Sequence, residues 1–308
     1  MFEPFFFTFS INFSGLYDEK FTVYFTGKRS RYSYSFGRQK EQIPADAVIV
    51  ATGGSSYEST GSDGNFHKIL ESINHPMVEM RPGLVPMVIR EKECAMMQGL
   101  SLKNVTLTLL HENKVIYEDF GEMLFTHFGV SGPIVLSSSY KAVDYWQKNK
   151  QPLHASIDFK PALSREKLDA RFLREIEEQN KKQLKNSLHT LMPSKLIPVF
   201  LKRANVSGDK VMHQITKEER LRMVDTLKDF RFTLTKARPI EEAIVTAGGV
   251  SVKEVSPKTM ESKLVKGLYF TGEVLDIDGM TGGFNLQAAF STGYLAGIAC
   301  TNEDSALK

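Results

Sequence analysis

The residues best placed to do chemistry lie near the C-terminus, in the stretch GLYFTGEVLDIDGMTGGFNLQAAFSTGYLAGIA, Gly267 to Ala299. Between Gly272 and Asn285 it holds four glycines, Glu273, Asp276 and Asp278. Glycines let a backbone approach a ligand closely. A helix entered from such a loop presents unpaired N–H groups and partial positive charge. That end suits a phosphate, or negative charge developing on a ring as it is reduced. Carboxylates are poor phosphate ligands, so the acidic residues would instead accept hydrogen bonds from sugar hydroxyls. An ordinary αβ connection with a solvated acidic loop fits the same residues.

Other chemistries have weaker support. His127 and Ser131 lie close together in GEMLFTHFGVSGP (Gly121–Pro133), but Ser131 is not in a G-x-S-x-G elbow and has no identifiable acid partner. A loop shaping a substrate pocket and a structural loop with a bonded histidine both remain open. Cys94 and Cys300 are the only cysteines, and no CxxC occurs, which removes a dithiol centre or paired-cysteine zinc site and fits a reducing cytoplasm. His67 and His75 have no supporting ligand cluster and are expected at the surface.

The elements that must position the acidic loop can be read on either side of it. Leu268–Thr271 reads as a buried strand, and the chain turns helical from about Leu286. Ala289, Gly293 and Gly297 recur every fourth residue, so one side of that helix is nearly bare and suits close approach to a strand or cofactor. Far upstream, Ala47 to Ala51 is a second buried-strand pattern, ending in the turn Thr52-Gly53-Gly54. A helix follows Asp63-Gly64, with Phe66, Ile69, Leu70 and Ile73 at helical spacing.

These segments closely resemble one bacterial flavoprotein family, the NAD(P)/FAD-dependent oxidoreductases of aminoacetone-oxidase-like type. The resemblance rests on VIVATGG, on GLYFTGEVLDIDGMTGGFNLQAAFSTGYLAG, on Gly121–Pro133 and on TAGGVSVKEVSPKTMESK (Thr246–Lys263). It runs from about Pro44 to Ala299, with four motifs in family order. It implies an α/β fold (α+β overall) with a Rossmann-like FAD/NAD(P)-binding domain at about residues 1–80 and 238–308. An insertion at about 81–237, β-barrel plus helices, forms the substrate or cap domain. The implied cofactor is FAD, with NAD(P)H a candidate reductant, although no separate nicotinamide motif is present. The implied cofactor residues are Thr52, Gly53, Gly54, Gly272, Glu273, Asp278, Gly282, Gly283, Phe284, Asn285, Leu286 and Gln287. In that scheme Glu273 and Asp278 accept hydroxyls, and the helix N-terminus faces the pyrimidine edge of the flavin. No side chain stands out as catalytic acid or base.

One departure matters. The family's first βαβ unit carries G-x-G-x-x-G, which seats the pyrophosphate, and this chain has none. The chain enters the pattern about a hundred residues late on that expectation, as a fragment, a mis-called start or a member without its dinucleotide half. The rival to an oxidoreductase is therefore a truncated, inactive remnant acting as a binding or interaction module.

The remaining expectations are local. Phe5–Phe13, Phe21–Phe25 and Arg31–Phe36 read as strands of a small antiparallel sheet, with Gly15–Lys20 as a turn. In the insertion, strands are expected at Val88-Ile89, Val105–Leu110, Val115–Tyr117 and Phe230–Thr235. Helical stripes run through Leu168, Phe172 and Ile176 and through Leu184, Leu188 and Leu191. Thr216-Lys217-Glu218-Glu219 reads as a capping box. The last residues, TNEDSALK, read as a frayed tail.

At 308 residues, 42% hydrophobic and net charge +3, the chain has room for one large or two medium domains. Lys181, Lys182, Lys185 and Lys195 form a basic patch without interleaved aromatics, which reads as a solvated face; the expected partner is a small-molecule substrate, with no nucleic acid. No run of 18 apolar residues occurs, and the N-terminus lacks signal-peptide features, so neither membrane nor export is expected. Oligomeric state is not legible.

Overall fold

The computed structural model describes residues 11–12, 20–26, 31–36, 39–41, 47–72, 74–112 and 114–301. The chain divides into two compact units, Met1–Gly83 with Pro239–Lys308, and Leu84–Arg238.

The first unit opens with an antiparallel sheet of β1 (Ile11–Asn12), β2 (Lys20–Thr26), β3 (Arg31–Phe36) and β4 (Gln39–Glu41), in that spatial order. The rest of the expected first strand, residues 15–19 of its expected turn, Ile73 and the tail beyond Thr301 lie outside the described residues, and Lys20 opens β2 instead of ending the turn. Next come β5 (Val48–Val50), α1 (Asn65–Ser72) and β6 (Met77–Gly83).

The two histidines around α1 are buried, not surface residues: His67 is 1% exposed and His75 3%. The buried side of α1 is wider than its apolar stripe, and His67 follows Phe66 directly into it. His75 Nε2 lies 3.1 Å from Ser262 Oγ, and its ring packs edge-on to Phe270. Burial lowers both imidazole pKa values, outweighing the Gly64 and Val274 carbonyls around His67 and the Pro76 backbone at His75. Below pH 6.5, the ordinary histidine value, the unfolded chain takes up protons that these folded sites refuse. The histidine contribution to the melting of this unit should therefore be flat above pH 6.5 and fall as acid is added below it, and His75→Gln should reduce that fall.

The second unit is a closed antiparallel barrel of β7 (Met87–Ile89), β8 (Ser101–His111), β9 (Lys114–Phe125), β10 (Gly129–Ser131), β11 (Leu153–Asp158) and β12 (Phe230–Ala237). The order around it is β10-β7-β12-β11-β8-β9. Alternating residues such as Leu107 and Leu109 face the core, with Phe125, Phe230 and Phe232. Helix α2 (Pro133–Lys148) begins with proline, whose fixed φ suits the first turn. Four helices lie between β11 and β12: α3 (Arg165–Glu178), α4 (Leu184–Ser187), α5 (Ile197–Ala204) and α6 (Lys217–Lys228). Leu168, Phe172, Leu184, Leu188 and Leu191 enter the same core as the barrel.

The capping box opens α6. The Glu219 N–H donates to Thr216 Oγ1 (3.2 Å), and the Thr216 N–H to Glu219 Oε2 (2.9 Å). Thr216→Ala should cost about 1 kcal/mol in urea unfolding of this unit. Of the basic patch, Lys182, Lys185 and Lys195 are bonded to Gln179, Asp209 and the Gln98 carbonyl.

The segment Gly121–Pro133 proves to be the barrel's closure. β10 pairs with β9 on one side and β7 on the other. A Cβ on Gly129 would lie 2.2 Å from the Met87 carbonyl oxygen, and one on Gly132 (φ +94°) 2.8 Å from Met123 Cα. Thr126 Oγ1 accepts the Gly129 N–H and holds the turn, leaving His127 exposed with its ring against Phe128.

Back in the first unit, β13 (Val245–Val250) pairs antiparallel with β6, and β14 (Leu268–Phe270) pairs in parallel with β5. Helix α7 (Phe284–Thr301) ends the described chain. Val50, Phe66, Leu70, Phe270, Val274 and Ala296 are among this unit's core residues. No helix among the described residues is long and apolar enough to cross a membrane.

Candidate site at the ends of two parallel strands

Val50 and Phe270 are register partners on neighbouring parallel strands, so both chains leave the sheet at the same end. The Thr271 N–H donates to the Val50 carbonyl (3.0 Å) and extends the pairing into the turns. One strand runs into Thr52-Gly53-Gly54, the other into Gly272-Glu273. The carboxyl ends of parallel strands are where α/β sheets bind ligands.

A carboxylate ties the two turns together. Glu273 Oε1 accepts from Ser56 Oγ (3.0 Å) and from the Thr246 N–H (2.6 Å). Thr246 Oγ1 accepts the N–H groups of Ser55 (2.7 Å) and Ser56 (3.1 Å). Gly54 is buried against this cluster, and a Cβ there would lie 2.2 Å from Thr246 Oγ1 and 2.9 Å from Glu273 Oε1. Glu273 Oε1, read from sequence as a hydroxyl acceptor, is thus occupied inside the protein. Ser55, Ser56 and Thr246 were not singled out by their spacing. Only the position of Thr246 at the head of a family-like stretch hinted at them.

The other expected residues fall around these turns. Gly53 takes φ +73°, beside Ser62, whose hydroxyl donates to the Gly54 carbonyl. Thr52 Oγ1 is buried without a hydrogen-bond partner among the described residues. Gly272 takes φ +72°, and its N–H donates to Thr292 Oγ1 on α7 (2.9 Å). Asp278 is half-buried, and burial, then the Asp278 charge, raise the pKa of Asp276. Asn285 closes the acidic loop, accepting the Gly279 N–H (2.7 Å) and donating to the Gly279 carbonyl (3.0 Å). Gly282 and Gly283 are exposed at φ +112° and +90°, with no atom within 4 Å of a Cβ built on Gly283. Phe284 and Leu286 are exposed, and Gln287 donates to Ser291 along the helix.

Among the described residues no strand packs on the Gly293 and Gly297 part of the helix's bare side. The inward face of α7 carries Ala289 near Gly272, with Thr292 and Ala296 buried, whereas Gly293 and Gly297 face open space. Gly293→Ala should therefore stabilise this unit by about 0.5–1 kcal/mol, since only helix propensity changes.

These features fit FAD: a buried hydroxyl without a partner among the described residues, open glycine backbone before a helix N-terminus, and two strand ends held together. A neighbouring pocket of about 470 Å³ does not suit its pyrophosphate, because Glu58, Asp63, Glu71 and Glu241 line it.

Comparison with known proteins agrees with the architecture. A family model described as "HI0933-like protein barrel and H2TH domain" matches residues 81–245. The 3-dehydro-bile acid delta(4,6)-reductase of Clostridium scindens is 32% identical over 260 residues, which is 84% of this chain and 63% of that protein. The ribosomal RNA dihydrouridine synthase of Haemophilus influenzae is 35% identical over 258 residues, 83% of this chain and 60% of its own length. Its Escherichia coli namesake is 32% identical over 267 residues, 86% and 62% respectively. The chain thus spans less than two thirds of the length of each of these relatives. With a barrel and helices where the family model places them, over more than half of its length, the chain belongs to the HI0933-like protein family.

Proposed function

We propose that this chain is an FAD-dependent oxidoreductase working in the reductive direction on an activated carbon–carbon double bond of a small molecule. The observation that carries the reading is the joining of two glycine turns at the ends of β5 and β14 through Glu273 and Thr246. Bound FAD would supply the two-electron transfer. The protein's part is placement. Gly282 and Gly283 permit close backbone approach, and the first turn of α7 offers N–H groups and positive dipole to negative charge on the ring. Thr52 Oγ1 offers a buried hydroxyl, and Asp278 a carboxylate for cofactor hydroxyls.

The direction of reaction draws on the relatives. A delta(4,6)-reductase and a dihydrouridine synthase share one kind of chemistry, saturation of a double bond conjugated to a carbonyl. The small-molecule reading rests on the basic patch, where three of four lysines are engaged within the fold. NAD(P)H is the proposed reductant.

The test is the visible spectrum of the protein purified from its own cells with its natural companions. A flavin band near one per chain, bleached anaerobically by NAD(P)H and restored by a conjugated enone, is expected. Protein that stays colourless after incubation with FAD overturns the reading in favour of an interaction module. Restoration by uridine-containing RNA, and not by enones, would move the substrate to nucleic acid.

A further inference from the structure

The pocket of about 470 Å³ beside the glycine turns is built to hold something positive. Its acidic residues come from three separate parts of the first unit: Glu58 and Asp63 from the loop after β5, Glu71 from α1, and Glu241 from the turn Ile240–Glu242. Among the described residues no lysine or arginine lines it. Like charges gathered in one cleft repel each other and concentrate ligands of the opposite sign.

His67 sets this pocket apart from an ordinary acidic surface. It is 1% exposed, its ring forms part of the pocket wall, and neither ring nitrogen has a hydrogen-bond partner among the described residues. The Gly64 and Val274 carbonyls lie near the ring without meeting bonding geometry. A buried polar group left unpaired costs stability, which a ligand that pairs it would recover. Burial keeps the imidazole neutral at pH 7, so one nitrogen can accept an N–H. Glu71 follows one turn later on the same side of α1.

The arrangement selects the kind of cation. Among the described residues no three histidine, cysteine or acidic side chains are placed to hold one metal ion. The negative charge is instead spread around the cleft, and Met80 and Ile240 add apolar wall. Such a cleft suits an extended cation, with N–H groups at several points and methylenes between them. We propose that this pocket binds an aliphatic polyamine, with its ammonium groups on Glu58, Glu71 and Glu241, one N–H on His67, and its methylenes against Met80 and Ile240. The site stands apart from the flavin reading, since none of its residues is assigned to the cofactor.

The experiment titrates the full, flavin-free chain with spermidine by calorimetry, with butylamine and magnesium as comparison probes. One spermidine per chain is expected. Butylamine, with a single charge, should bind at least about tenfold more weakly, and an equal concentration of magnesium should not displace spermidine. Glu71→Gln with Glu241→Gln should weaken spermidine about tenfold or more without lowering the melting temperature of the ligand-free chain, because both side chains are exposed. His67→Leu should weaken it about fivefold, whereas His67→Gln, which keeps an acceptor, should retain most of the affinity. The paired glutamine variant carries the test if the leucine variant does not fold. No binding by folded wild-type chain overturns the proposal, as does undiminished affinity in the paired glutamine or folded leucine variant. So do several weak equivalents that vanish in about 0.5 M salt, which mark general surface charge, and magnesium that binds one per chain and excludes spermidine, which marks a metal site. None of these outcomes bears on the flavin band, so the two readings fail separately.

Discussion

Gly129→Ala should unfold the barrel's closure at a cost of about 3 kcal/mol or more, the upper end of over-packing. The added Cβ would sit 2.2 Å from the Met87 carbonyl oxygen, 2.8 Å from the Ile89 nitrogen and 3.0 Å from Val88 Cα. All three are backbone atoms of β7, the strand that β10 must reach to complete the barrel. A side chain could swing aside; a paired strand cannot without losing its register. Gly121→Ala is the informative comparison, because its Cβ would meet a side-chain atom and not backbone, the Cγ2 methyl of Ile134 at 2.6 Å. It should cost clearly less. Near-ultraviolet circular dichroism during urea unfolding would follow both, and equal losses would show that backbone crowding is not the cause.

The same contrast explains what could be read from sequence. The capping box and the strands at the two glycine turns were legible because their determinants are local: a T-x-x-E spacing, a short apolar run, a glycine after it. The closing of the barrel was not. Gly129 is demanded by Val88 and Met87, residues remote in sequence that nothing in GEMLFTHFGVSGP names. His67 and His75 were misplaced at the surface because periodicity marks the centre of a buried face and not its width. The glycines of α7 show the converse limit. Small residues indicate where close approach is possible, and Gly293 and Gly297 have the room but no described neighbour. Glu273 was singled out for its charge beside glycine, yet the partners that occupy one of its oxygens, Ser56 and Thr246, come from segments on either side of the second unit in the sequence.

Replacing that carboxylate should have the largest effect on the first unit. Glu273→Ala removes the acceptor of two charge-assisted hydrogen bonds and leaves the buried Thr246 N–H and the Ser56 hydroxyl without it. At about 1.5–3 kcal/mol for each bond to a charged group, and allowing for the incomplete burial of Glu273, a loss of about 3 kcal/mol is expected. The loss should occur in flavin-free protein, because the carboxylate is tying protein to protein. Glu273→Gln keeps an acceptor oxygen in the same place and should recover most of the stability. If Glu273 instead acted only on a bound cofactor, alanine would leave the flavin-free protein unchanged and lower flavin retention alone. Gly54→Ala attacks the same junction from the opposite side, driving a methyl group to within 2.2 Å of Thr246 Oγ1. Because the two sites touch, their effects should not add: once alanine at position 273 has loosened the cluster, the methyl at position 54 should cost less than it does in the intact chain, and strictly additive losses would mean that the two turns are not held by one shared set of bonds.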